Sequence, residues 1–114
     1  MFNWFKRKKS ILVNWDFEDI EGFKMIKNLD SIQFVNENST KIIYFSVLYV
    51  DGGGILDSYA GKPTIIETEN GWQLKGSKKG PNKILVCVIS VSRKDDIEWA
   101  RTFFESITSN ELSN

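Results

Sequence analysis

The stretch that decides the fold runs from Thr64 to Ile107. It opens with Thr64-Ile65-Ile66-Glu67-Thr68, turns at Asn70-Gly71 and returns as Trp72-Gln73-Leu74-Lys75. Both arms are rich in residues that suit a pleated surface. Asn-Gly supplies the positive φ angles that a type I′ turn requires, so the spacing predicts a hairpin. Ser77 to Asn82 reads as a connection with a turn signal at Gly80-Pro81-Asn82. Lys83 to Val91 follows, with Ile84-Leu85-Val86-Cys87-Val88-Ile89 apolar throughout. Unbroken apolarity of this kind belongs to a strand covered on both faces. A helix closes the stretch. Asp95 stands at the expected N-cap, with Glu98 three residues later in the reciprocal position. Asp96 adds negative charge where the helix dipole favours it. Ile97, Ala100, Phe104 and Ile107 fall on one stripe, which Trp99 and Phe103 widen. Thr108-Ser109-Asn110 is the expected end.

Working backward, Lys41 to Val50 is the strongest strand signal in the chain, with Ser46 the one small polar break. It is expected to be central. Asn36-Glu37-Asn38-Ser39 is a polar turn, and Ser31-Ile32-Gln33-Phe34-Val35 reads as the strand before it. Between Asp16 and Asp30 the pattern does not settle on one period. Phe17, Ile20 and Lys24 fit a helical turn, while Gly22 to Lys27 fits a strand. Ile11-Leu12-Val13-Asn14-Trp15 is expected to begin the ordered structure as a short strand. Residues 1–10 read as a basic and aromatic arm, 11–109 as one domain and 110–114 as a frayed tail. The expected fold is α+β: an antiparallel meander sheet packed by a C-terminal helix and by an N-terminal helix or mixed segment.

Size and composition support one folded domain. The chain has 114 residues, 41% of them hydrophobic and 13% aromatic. A chain of that length buries enough surface for a core without disulfides or metal. Fifteen basic residues balance fifteen acidic ones, so no global charge draws it to nucleic acid or acidic membranes. There is no histidine, which removes Ser-His-Asp and Cys-His catalysis and the commonest metal ligand. The single cysteine, Cys87, cannot form an intrachain disulfide and cannot build a structural zinc site. Its apolar neighbours predict a buried, inert thiol. No catalytic residue, cofactor site or metal site is expected.

The order of elements resembles the PsbP-like group, which includes the DcrB-like bacterial proteins. The residues carrying the likeness are Gly71-Trp72-Gln73-Leu74, Lys83 to Val91, and Asp96 to Ile107 ending in Phe104-Glu105-Ser106-Ile107. They cover about half the chain. No functional motif of the group is matched, so no functional residue is carried over. The resemblance implies a scaffold used mainly for binding proteins.

Two surfaces are expected to make that contact. One is the acidic run of Asp16, Glu18, Asp19 and Glu21. The other is the connection from Asp51 to Lys62, with Asp51, Gly52, Gly53, Gly54, Asp57 and Tyr59. Three successive glycines suit an adaptable loop, and a connection of this length is often functional. The glycines match neither a phosphate-cradling loop nor a dinucleotide fingerprint. The expected function is protein binding, foremost an immunity-type inhibitor that occludes a bacterial toxin or effector. A chaperone or adaptor for a secreted effector is the second reading. An enzyme is the third; it would have to use carboxylate, Lys or Tyr chemistry, such as Tyr44, Tyr49 or Tyr59 near Asp57. Lys75, Lys78, Lys79 and Lys83 lie near Trp72 and could hold a nucleic-acid strand, but lysines also protect sheet edges. The N-terminal arm places Phe2, Trp4 and Phe5 before Lys6-Arg7-Lys8-Lys9, the reverse of a secretory signal. The cytoplasm is therefore the expected compartment. The same arm allows weak contact with an anionic membrane surface, a disordered arm or packing on the domain. If it anchors the chain, deleting residues 2–9 will lower its partitioning onto anionic vesicles. Unchanged partitioning in a co-sedimentation assay would end the membrane reading.

Overall fold

A computed structural model of the chain describes residues 11–49 and 62–110. The sheet elements in chain order are β1 (Trp15–Asp16), β2 (Lys24–Lys27), β3 (Ser31–Val35), β4 (Lys41–Tyr49), β5 (Thr64–Thr68), β6 (Gly71–Gly80) and β7 (Lys83–Val91). A 3-10 turn at Lys94–Asp96 leads into α1 (Ile97–Ser106), and β8 (Thr108–Ser109) follows. The fold is α+β. Six strands form one antiparallel sheet in the order β2-β3-β4-β7-β6-β5. Strands β1 and β8 form a separate two-stranded ladder.

The sheet is not one continuous meander. Strands β2-β3-β4 and β5-β6-β7 are two separate three-stranded meanders. The nine-residue pairing of β4 with β7, from Lys41↔Val91 to Tyr49↔Lys83, joins them. These two strands occupy the centre, as their apolar sequences predict. Side-chain alternation then assigns the faces. One face carries Ile32, Phe34, Ile43, Phe45, Leu74, Leu85, Cys87, Ile89 and Val91, all buried in a single core cluster. The other carries Ile42, Tyr44, Val86 and Val88, which are half-buried, with Ser46 and Ser90 among them.

Helix α1 covers the first face through Ala100, Phe103 and Phe104. The predicted stripe is correct, and burying each of its aromatic rings stabilises the fold by about 2–3 kcal/mol. Phe103 meets Phe45 at 6.4 Å between ring centroids, and Phe34 meets Phe45 edge-on at 6.2 Å. Phe104 lies over Gly76. A Cβ built at that glycine would come within 2.5 Å of the ring, so the strand must present bare backbone there.

Several local expectations are corrected. Ile11 to Asn14 is a turn, closed by the Trp15 N–H donating to the Leu12 carbonyl, and only Trp15 and Asp16 are strand. The helical turn through Phe17, Ile20 and Lys24 does not form. Residues Lys24–Lys27 are instead an edge strand paired with β3. Strand β6 runs on through Ser77 to Gly80, because β7 continues to pair with it as far as Gly80↔Lys83. The turn there is Pro81-Asn82, with Asn82 at φ 58°. Neither Asp95 nor Asp96 caps α1 with its side chain. The 3-10 turn comes first and holds Asp96 at φ −88° and ψ 0°, outside the extended geometry of a capping residue. The helix ends at Ser106, and Ile107 is extended. Thr108 and Ser109 pair with Asp16 and Trp15, and the Asn110 N–H donates to the Asn14 carbonyl, so Asn110 belongs to this ladder rather than to a tail.

The hairpin of β5 and β6 forms, but not around a type I′ turn. Thr68 pairs with Gly71, so Glu69 and Asn70 are the loop residues, and Asn70 has no positive φ. Gly71 is the first residue of β6 at φ +146°. A Cβ there would collide with the Val91 carbonyl oxygen. Strain and clash combine at this one position. Gly71→Ala is expected to destabilise the fold by about 2 kcal/mol or more. Chemical denaturation of the variant against the wild type measures it, and a loss under about 0.5 kcal/mol would contradict the geometry.

Candidate functional site

The acidic run predicted from sequence lines a cleft among the described residues. Trp15 and Asp16 come from β1, Phe17 to Phe23 from the connection, Met25 from β2 and Phe34 from β3. Together they line a cleft of about 720 Å³. That volume is in the range of small-molecule and short-peptide sites.

The local sequence explains the arrangement. Along Asp16-Phe17-Glu18-Asp19-Ile20-Glu21, the apolar members Phe17 and Ile20 pack against the core cluster. The four carboxylate residues are all exposed. The Phe23 N–H donates to the Ile20 carbonyl at 3.2 Å, and Gly22 turns the chain at φ +88°. Phe17 stacks on Phe45 at 5.3 Å and tilts against Phe103 at 5.7 Å. Phe23 stacks on Trp99 at 6.0 Å. The connection is thus pinned by three aromatic contacts, two from Phe17 to the sheet and α1 and one from Phe23 to α1. Its C-terminal neighbour helps as well. The Glu18 N–H donates to Ser106 Oγ at 3.0 Å, and Asn110 Nδ2 donates to Asp16 Oδ1 at 3.0 Å.

Among the described residues the charge at the cleft has no counter-charge: no Lys or Arg lines it, and none of Asp16, Glu18, Asp19 and Glu21 forms an ion pair. Also among the described residues, no group of three carboxylates or thiols is placed to hold a metal ion. Trp15, 3% exposed, lines the cleft, and its indole nitrogen is buried without an acceptor among the described residues. Leaving such a donor unpaired costs about 1–3 kcal/mol. The local pattern does not mark Trp15, Phe23 or Phe34 as site residues. Trp15 and Phe23 flank the acidic run in sequence, and the sheet brings Phe34 to it from β3.

The other expected residues divide differently. Asp51, Gly52, Gly53, Gly54, Asp57 and Tyr59 lie outside the described residues. Tyr44 sits half-buried on the opposite face of the sheet, and Tyr49 is exposed at the end of β4. Neither of these tyrosines lines the cleft. The lysine cluster is split by the alternation of β6 and β7. Lys75 and Lys79 point to one face. On the other face, Lys78 Nζ lies 4.5 Å from the centre of the Phe104 ring and Lys83 Nζ lies 6.0 Å from that of Tyr49. Cys87 is fully buried, as expected, and burial pushes its thiol up to about 12, with Lys78 opposing weakly. Among the described residues no helix is long and apolar enough to cross a membrane.

No protein-family model, no curated protein and no solved structure matches this chain. The likeness to the PsbP-like group therefore rests on the residues quoted for it.

Cys87 gives a pH prediction. Unfolded, the thiol ionises near its ordinary value of 9.0; folded, it keeps its proton to about 12. Between those values the unfolded chain binds fewer protons, so stability falls as pH rises above 9. The urea midpoint is expected to drop between pH 8 and about 10.5, and to drop less in Cys87→Ala. Equal slopes for both proteins would show that the thiol does not contribute.

Proposed function

We propose that this chain is a small protein-binding domain that acts in the cytoplasm as an immunity-type inhibitor. It occludes a basic surface on a bacterial toxin or effector. The carrying observation is the cleft itself: aromatic walls, an exposed carboxylate mouth, and no cation among the described residues to neutralise it. Unpaired carboxylates on a rigid support accelerate association with a basic partner and disfavour acidic ones. Charge of this kind suits a protein that must find a toxin quickly and cover a cationic active-site surface. The zero net charge of the whole chain makes the acidity local, so binding should depend on this one surface. The absence of histidine, together with an inert cysteine, supports a non-catalytic role.

A second reading, chaperone or adaptor for a secreted effector, draws on a different observation. Ile26, Leu48 and Ile66 are each 41–45% exposed on the face of the sheet away from α1. Partly exposed apolar residues of this kind suit contact with an incompletely folded client.

The test begins with capture from the native host on immobilised protein, followed by identification and purification of the captured protein. A triple reversal, Glu18→Lys, Asp19→Lys and Glu21→Lys, is then compared with the wild type. Association is expected to slow by about tenfold or more at low salt. The partner's own activity should be suppressed by the wild type and restored with the variant. Equal capture by both proteins, or turnover of a substrate by the purified domain alone, would overturn the reading.

A further inference from the structure

We infer that β5 is a self-association edge: it pairs antiparallel with β5 of a second copy of this chain, about a twofold axis through Ile66. This goes beyond the proposed function and does not depend on it.

The sheet ends in two strands that differ as edges. Strand β2 is four residues long and carries Lys24 and Lys27 at its ends, a common protection against stray pairing. Strand β5 closes the opposite side, and among the described residues nothing pairs with its outer side. Its residues, Thr64-Ile65-Ile66-Glu67-Thr68, include no lysine, no proline and no bulge. Four of them are exposed and Ile65 is half-buried. A regular edge of strand-forming residues is a template for another strand.

The backbone selects the register. The two-residue loop of the β5–β6 hairpin makes the closing pair, Thr68 and Gly71, a hydrogen-bonded one. Alternation along the ladder then commits the N–H and C=O groups of Thr64, Ile66 and Thr68 to β6. Those of Ile65 and Glu67 point off the open edge. An antiparallel copy related by an axis through Ile66 sets Ile65 opposite Glu67 twice, and four backbone hydrogen bonds satisfy all of these groups. Neighbouring registers do worse. An axis through Ile65 would set Glu67 opposite Pro63, which has no N–H to give. An axis through Glu67 would set that carboxylate against its own counterpart.

Side chains agree with the same register. On the face away from α1, Ile66 meets Ile66, and Thr64 meets Thr68 on either side of it; apolar and threonine pairs of this kind stabilise a sheet. Past the strand ends, Lys62 of each copy comes beside Glu69 of the other. Both residues are exposed, and neither forms an ion pair among the described residues. A parallel, in-register alignment would instead set Glu67 and Glu69 beside their own counterparts. A single strand pair is a small interface, so association is expected to be weak and to rise with concentration.

Sedimentation equilibrium of the full chain from about 1 μM to about 1 mM tests this, with the mass expected to rise from one chain toward two. Ile66→Lys and Ile66→Glu each place like charges at the axis and are expected to weaken association about tenfold or more. An equimolar mixture of the two variants sets opposite charges face to face and is expected to recover the dimer. Ile66→Cys is expected to crosslink under mild oxidation, because facing residues of a non-hydrogen-bonded pair lie within disulfide reach, while Cys87 is buried. Ile66 is 44% exposed, so the variants should keep the fold, and far-UV circular dichroism checks that they do. A single-chain mass at every concentration would overturn the inference and leave the edge to a strand of a different protein or to none. Association that is equal in the wild type and both charged variants would overturn it too. So would a mixture that associates no better than either variant alone, or an Ile66→Cys chain that does not crosslink where the wild type is dimeric.

Discussion

The packing of Phe103 and Phe104 of α1 onto the inner face of the sheet is the constraint from which the rest follows. Phe104 can lie flat only because Gly76 presents no side chain, and Phe103 reaches Phe45 across the sheet centre. Once α1 is seated there, Ile107 is buried and the chain emerges extended at Thr108. That position fixes β8, and β8 fixes β1 through two residue pairs. The ladder is short and would not persist alone; α1 at one end and the buried Trp15 at the other hold it in place. A helix that packed one turn differently would lose the ladder, and with it the support of the connection that follows.

That connection is where core and surface meet. Phe17 and Phe23 belong at once to the aromatic packing around Phe45, Phe103 and Trp99 and to the wall of the cleft. The carboxylates between them face outward because their apolar neighbours are drawn inward. The acidic mouth is thus held by hydrophobic packing, not by a network of charges. Asp16 accepts from Asn110, while Glu18, Asp19 and Glu21 have no side-chain partner among the described residues. A surface mounted on a buried aromatic cluster would lose little entropy on binding, since its supports are already ordered.

What could be read directly from the residues was local and periodic. The central strands were plain because Lys41–Tyr49 and Lys83–Val91 are apolar at nearly every position. The helix was plain because Ala100, Phe103, Phe104 and Ile107 recur at its period. The acidic run was visible as a run. Its role as the rim of a cleft was not, since Phe34 comes from β3 and only the pairing of β2 with β3 brings it beside the run. Several ends were also misplaced for a common reason. Asn70-Gly71 has the chemistry of one turn, yet the ladder between β6 and β7 drew Gly71 into the strand and moved the turn back one residue. Ser77 to Gly80 reads as a loop by composition, but pairing with β7 made it strand.

By itself, the sequence determined the class of fold, the two central strands, the helical face and the absence of histidine-based chemistry. These follow from periodicity and from which side chains exist, and neither depends on distant partners. Tertiary structure alone decided that β4 pairs with β7 and that the last strand returns to the first. It also decided that an acidic stretch beside buried rings opens into a cleft. Those outcomes depend on contacts between residues far apart in the chain, where the energy of packing outweighs any local preference.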